Sequence, residues 1–178
     1  MTAILRSHGP FTIRHNNSKR TAHVALQVSR NLYQYFSADS AIVSIVSWDS
    51  SVPGPGNAIS VALGDTLPNL HPNFPIQVGA AGVSVRDSKG RRHEYSGRIG
   101  LGAAFLRPLQ DERLELVLWG SDDLGLSLAA RLVPMLTGVG QPDFVVLSES
   151  SKWRGVEGTL ALGFFDHEWN VTPSSVLQ

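Results

Sequence analysis

The chain has no cysteine. That excludes disulfides, thiolate nucleophiles and zinc–thiolate centres, each of which needs a sulfur donor. It does not fix the compartment, because a domain with a sound core needs no disulfide. An excess of one charge is also missing. Lys+Arg and Asp+Glu number 15 each, so the formal net charge is zero. No global field draws in nucleic acid or an anionic membrane, and neither is expected as a partner. Charged residues make up only 17% of the chain, which is low for a domain exposed on all sides. Either the surface is bland, or part of it meets another domain or another subunit. No run approaches the roughly 20 apolar residues of a membrane span. The segment from Met1 to Pro10 contains no apolar stretch of the signal-peptide kind, and localisation stays open.

What is present is a chain of 178 residues, 42% of them hydrophobic. That suffices for one domain with a real core. The most informative stretch is 114–147. It reads as a strand (Leu-Glu-Leu-Val-Leu-Trp), a tight turn at Gly120, a capped helix, and a second strand (Phe-Val-Val-Leu). This is one βαβ unit, with the two strands parallel. Ser121 or Asp122 is the N-cap, and capping is a better role for Ser121 than that of a nucleophile. Leu124, Leu128, Leu132 and Met135 form the apolar stripe, so Leu128 and Leu132 are expected to be buried. Pro134 predicts a kink or an early end, and Gly138 and Gly140 close the pattern.

Elsewhere, residues 11–14 read as a short strand and 21–37 as a helix with Val24, Val28, Leu32 and Tyr35 on its apolar stripe. The aromatic end of that helix (Tyr33, Tyr35, Phe36) reads as a wedge into the core. Residues 41–48 read as a buried strand. The Pro/Gly loop at 52–56 is the best candidate boundary, although strands on both sides of it would need to pair. Residues 59–63 form another strand, 83–95 a hairpin turning at 87–90, and 100–108 a central strand stopped by Arg107-Pro108. A last apolar stretch at 159–165 leads into Asp166-His167-Glu168 and a loose polar tail. The expected fold is α/β. It is a single three-layer-like domain over residues 1–178, with a mixed, partly parallel sheet, at least one βαβ unit and one β-hairpin.

The turn after a parallel strand is where α/β proteins place ligands or catalytic groups. Here it carries Gly120, Ser121, Asp122 and Asp123, the candidate ligand-binding residues. A nucleophile elbow needs Gly-x-Ser-x-Gly, and that motif is absent. Asp122 and Asp123 also follow the serine where an oxyanion would develop, and negative charge there opposes it. Gly97-Arg-Ile-Gly100-Leu-Gly102 is glycine-rich, but a strand follows it rather than the helix a dinucleotide fingerprint requires. None of the six histidines pairs with another at metal-ligand spacing. Asp49, Asp65 and Asp122 each sit at or soon after the end of a predicted strand, and in a parallel sheet two of them could gather at one edge. No catalytic residue, metal ligand or cofactor is assigned.

Six segments carry a resemblance. They are Ala3-Ile-Leu-Arg-Ser-His-Gly-Pro-Phe11, Ser29-Arg-Asn-Leu-Tyr-Gln-Tyr-Phe36, residues 100–108, Leu118-Trp-Gly120, residues 131–144 and Ala161-Leu-Gly-Phe-Phe-Asp166. Together they resemble the C-terminal region of large fungal proteins that carry a prolyl-oligopeptidase-like α/β-hydrolase domain. The resemblance implies a non-catalytic accessory domain of a serine hydrolase, packing on a catalytic domain or another subunit. It implies no active residue within this chain. The alternative is a free-standing module that binds a ligand at the Gly120–Asp123 turn. A small hydrolase with an unrecognised site is the third possibility.

Overall fold

The computed structural model describes residues 1–48, 51–65, 70–109, 111–134 and 141–178. Eight strands form one mixed sheet. In chain order they are β1 (Phe11–Asn16), β2 (Ser40–Ile45), β3 (Ala58–Leu63), β7 (Gly102–Pro108), β8 (Leu114–Gly120), β9 (Phe144–Leu147), β10 (Ala161–Gly163) and β11 (Val176–Leu177). Their spatial order is β11-β10-β9-β7-β8-β3-β1-β2. β2, β1, β3 and β8 run parallel to one another, and the remaining pairs, from β8–β7 to β10–β11, are antiparallel. Strands from both sides of the 52–56 loop pair directly, β1 with β3. A separate three-stranded meander, β4 (Ile76–Gly79), β5 (Gly82–Arg86) and β6 (Arg92–Tyr95), contains the expected hairpin.

Two helices cover one face of the large sheet. In α1 (Lys19–Phe36), Ser18 is the N-cap and its hydroxyl accepts from the Thr21 N–H. Val24, Val28 and Leu32 are buried against Ile13, Ile59, Leu116 and Leu118. The second helix, α2 (Asp123–Ala130), buries Leu126 and Leu128 in the same cluster. Alternate residues of the strands point the other way. There Phe105, Val117, Trp119 and Phe144 pack with Val83, Val85 and Tyr95 of the meander. The three layers are therefore helices, large sheet and small sheet.

β8 and β9 run in the same direction and α2 joins them, as the βαβ reading requires. They are not neighbours, because β7 lies antiparallel between them. Four expectations are corrected. Residues 41–48 are not a buried strand: β2 is the outermost strand, and Ala41, Ile42 and Ser44 are exposed. An apolar run satisfies a buried strand and an unguarded edge equally well, so the pattern could not tell them apart. Of the aromatic wedge only Phe36 packs on the core, whereas Tyr33 is 68% exposed and Tyr35 is exposed too. The N-cap of α2 is Asp122 rather than Ser121. Finally, α2 ends at Ala130, a turn before Pro134, so Leu132 lies beyond the helix and only half-buried while Leu128 is buried. Met135, Gly138 and Gly140 lie outside the described residues.

Candidate functional site at the strand ends

The Gly120–Asp123 turn is built by close backbone packing. A Cβ on Gly120 would lie 2.6 Å from the Leu126 Cα. Only a glycine lets the first turn of α2 sit down on the strand end. Ser121 is exposed, yet its backbone N–H (2.8 Å) and its hydroxyl (3.2 Å) both donate to the Leu101 carbonyl. Asp122 has extended φ/ψ, as an N-cap should. Its Oδ1 accepts from the Gly125 N–H at 2.7 Å and its Oδ2 from the Gly100 N–H at 3.0 Å. One carboxylate thus caps the helix and fastens the loop that enters β7. Asp123 is exposed in the first turn of α2, where a negative charge favours the helix dipole. Its carbonyl accepts from the Ser127 hydroxyl at 2.7 Å.

A third loop joins this edge. The Glu149 N–H donates to the Ile99 carbonyl at 3.2 Å, so the segment after β9 is tied to the loop before β7. That segment forms the short helix α3 (Ser151–Arg154) and the turn Gly155–Gly158. The Ser150 and Ser151 hydroxyls both donate to the Gly158 carbonyl, which holds it closed. It carries Trp153, 77% exposed, and Val156, 72% exposed, and the loop tied to it carries Ile99, 70% exposed. The Lys152 ammonium lies 4.7 Å from the Trp153 ring centroid.

Two of the three candidate carboxylates reach the same sheet edge. Asp65 and Asp122 follow the adjacent parallel strands β3 and β8. Asp49 lies outside the described residues. Among the described residues no group of three or more His, Asp or Glu side chains could hold a metal ion. His93 is engaged by Asp87 at 3.2 Å in the β5–β6 turn. Burial pushes the Asp87 carboxyl up. The Arg91 and Lys89 N–H groups and the Arg91 and His93 side chains outweigh it, and hold the carboxyl well below the usual range. The basic run at 89–93 is therefore gathered around one turn aspartate.

The sequence reading missed a buried charge cluster. Glu115 of β8 is fully buried. Its Oε1 accepts from Arg14 Nη2 of β1 at 2.6 Å and from the Ser60 hydroxyl of β3, and its Oε2 accepts from Arg107 Nε of β7. The Trp48 ring covers the Arg14 guanidinium, 5.2 Å from the ring centroid. Four strands are thus tied through one carboxylate. The signal was a lone Glu inside Leu-Glu-Leu-Val-Leu and a lone Arg inside Phe-Thr-Ile-Arg. On half-buried strands each reads as a solvated residue, and only the register brings them together.

No protein-family model matches the chain, and no solved structure matches it. Over 180 aligned positions, covering 98% of the chain, it is 44% identical to a protein of Arthroderma benhamiae named "Uncharacterized secreted protein". The chain spans 19% of that relative's length. These findings overturn the hydrolase resemblance. No hydrolase family is matched, and a relative that aligns with nearly the whole chain bears no hydrolase name.

Proposed function

We propose that this chain is a non-catalytic interaction domain. It packs against a neighbouring domain of a longer, secreted polypeptide through the face that carries Ile99, Trp153 and Val156. One observation carries the reading: at the strand ends Ser121 and Asp122 are tied to the fold's own backbone, while three large apolar side chains stand in solvent. Ser121 and both oxygens of Asp122 serve the fold's own backbone. Beside them Ile99, Trp153 and Val156 stand in solvent on two joined loops. An exposed Trp is the residue type enriched among interface anchors. The 19% span within a protein named as secreted supports a larger assembly. The low charged fraction agrees with a surface that is partly covered.

The non-catalytic half of the reading is tested by hydrolysis of an activated ester. Wild type and Ser121→Ala are expected to match the buffer rate. A wild-type rate well above buffer, abolished by Ser121→Ala, would overturn it.

A further inference from the structure

β2 closes one end of the eight-stranded sheet, and no described strand pairs with its outer side. The direction of its backbone groups follows from the ladder. The Phe11 N–H donates to the Asp39 carbonyl at 2.9 Å, and the register runs unbroken from Phe11↔Ser40 to Asn16↔Ile45. In a parallel pair alternate residues bond the neighbour. Residues 41, 43 and 45 therefore face β1, while Ser40, Ile42 and Ser44 turn their N–H and C=O groups outward, and Val46 follows directly on the strand. Natural sheets guard such an edge with lysine, proline, a bulge or a covering segment. From Ser40 to Trp48 there is no charged residue, no proline and no glycine, and the β1–β2 register contains no bulge. Val46 is 98% exposed and Ile42 is exposed as well.

In residue class this edge is symmetric about Ser44, with two β-branched aliphatic residues on each side: Ile42-Val43-Ser44-Ile45-Val46. We propose that β2 pairs antiparallel with β2 of a second copy of this chain, about a two-fold axis through Ser44. In that register Ile42 lies opposite the other copy's Val46, and Ser44 opposite its own equivalent, on the face that carries α1. Val43 lies opposite Ile45 on the other face. Every pair is apolar with apolar or hydroxyl with hydroxyl, and no like charges meet. An isologous contact demands this self-complementarity of a single surface patch. A shift of one residue along the strand loses it, because Ser44 would then face an aliphatic side chain and the outward backbone groups would fall out of phase. The result is one continuous sheet through both copies. This inference is independent of the face that carries Trp153.

The test uses the full chain. Sedimentation equilibrium in the micromolar range is expected to give twice the mass of one chain. Ser44→Lys sets two ammonium groups face to face and is expected to weaken the dimer by about tenfold or more. Ser44 is exposed, so this variant is expected to keep the wild-type circular dichroism. The absence of cysteine makes Ser44→Cys a register test. Opposed residues of a hydrogen-bonded pair have Cα atoms about 5.5 Å apart, within disulfide range, so mild oxidation should lock the dimer. Ser40→Cys should not cross-link, because the two copies of residue 40 would be roughly 25 Å apart. A wild type that stays monomeric overturns the inference. So does a dimer that Ser44→Lys leaves intact and Ser44→Cys fails to lock. Should Ser44→Lys not fold, the two cysteine variants decide.

Discussion

Glu115→Gln is expected to destabilise the domain by about 3–5 kcal/mol, because it takes the buried carboxylate charge away from the Arg14 guanidinium it pairs with and from Arg107 Nε. The substitution barely changes shape, so the loss is electrostatic. Glu115 is fully buried, and Arg14 and Arg107 are nearly so. Neither arginine can swing into water without dismantling a strand of the sheet. Arg14 is further fixed by its Nη1 donating to the Ser51 carbonyl at 3.2 Å and by the Trp48 ring above it. Urea unfolding checks this: the midpoint should fall while the slope stays that of the wild type. A loss below about 1 kcal/mol would show that the cluster is hydrated in solution, since exposed ion pairs are worth only that much.

Gly125→Ala is the second large effect. A Cβ at Gly125 would lie 2.6 Å from the Leu101 carbonyl carbon, and one at the facing Gly102 would lie 2.9 Å from the Gly125 carbonyl carbon. The first turn of α2 therefore rests backbone to backbone on the start of β7. Both obstacles are main chain and cannot rotate away. The expected cost is at or above the top of the roughly 1–3 kcal/mol that overpacking usually carries. Alanine is the better helix former, so helix propensity alone predicts the opposite sign. Thermal unfolding of Gly125→Ala against wild type separates the two. An unchanged or raised midpoint would mean that α2 does not sit on β7 in this way.

The helices and the inner strands were legible because their apolar periodicity is local. Val24, Val28 and Leu32 mark α1 directly, and strand–cap–helix–strand marks the β8–α2–β9 unit. What was lost depends on position in the sheet, which no local pattern encodes. Residues 42–46 are as apolar as a central strand, yet they form an edge. Residues 100–108 were read as central and are so, because both faces of that run are apolar and a helical layer and a second sheet cover them. The insertion of β7 between β8 and β9 is a tertiary choice that the βαβ pattern does not contain. The strand-end site was legible in place but not in detail. Ser121 and Asp122 are equivalent cap formers by type. The cap fell to Asp122 because its second oxygen also reaches the Gly100 N–H, a contact across 22 positions of chain. The Glu115 cluster needs four strands in register before it exists at all.

The most direct test of the interaction-domain reading is a calorimetric titration. The chain, and as a control the matched region of the Arthroderma protein, are each added to the separately expressed remainder of that protein. Saturable binding is expected, with Trp153→Ala weakening it by about 2 kcal/mol or more, as loss of a central aromatic anchor does. Trp153 is exposed and outside the core, so the variant should unfold with the wild-type midpoint. Failure of both the chain and the control to bind, or binding that Trp153→Ala leaves unchanged, would contradict the assignment of this face as the docking surface.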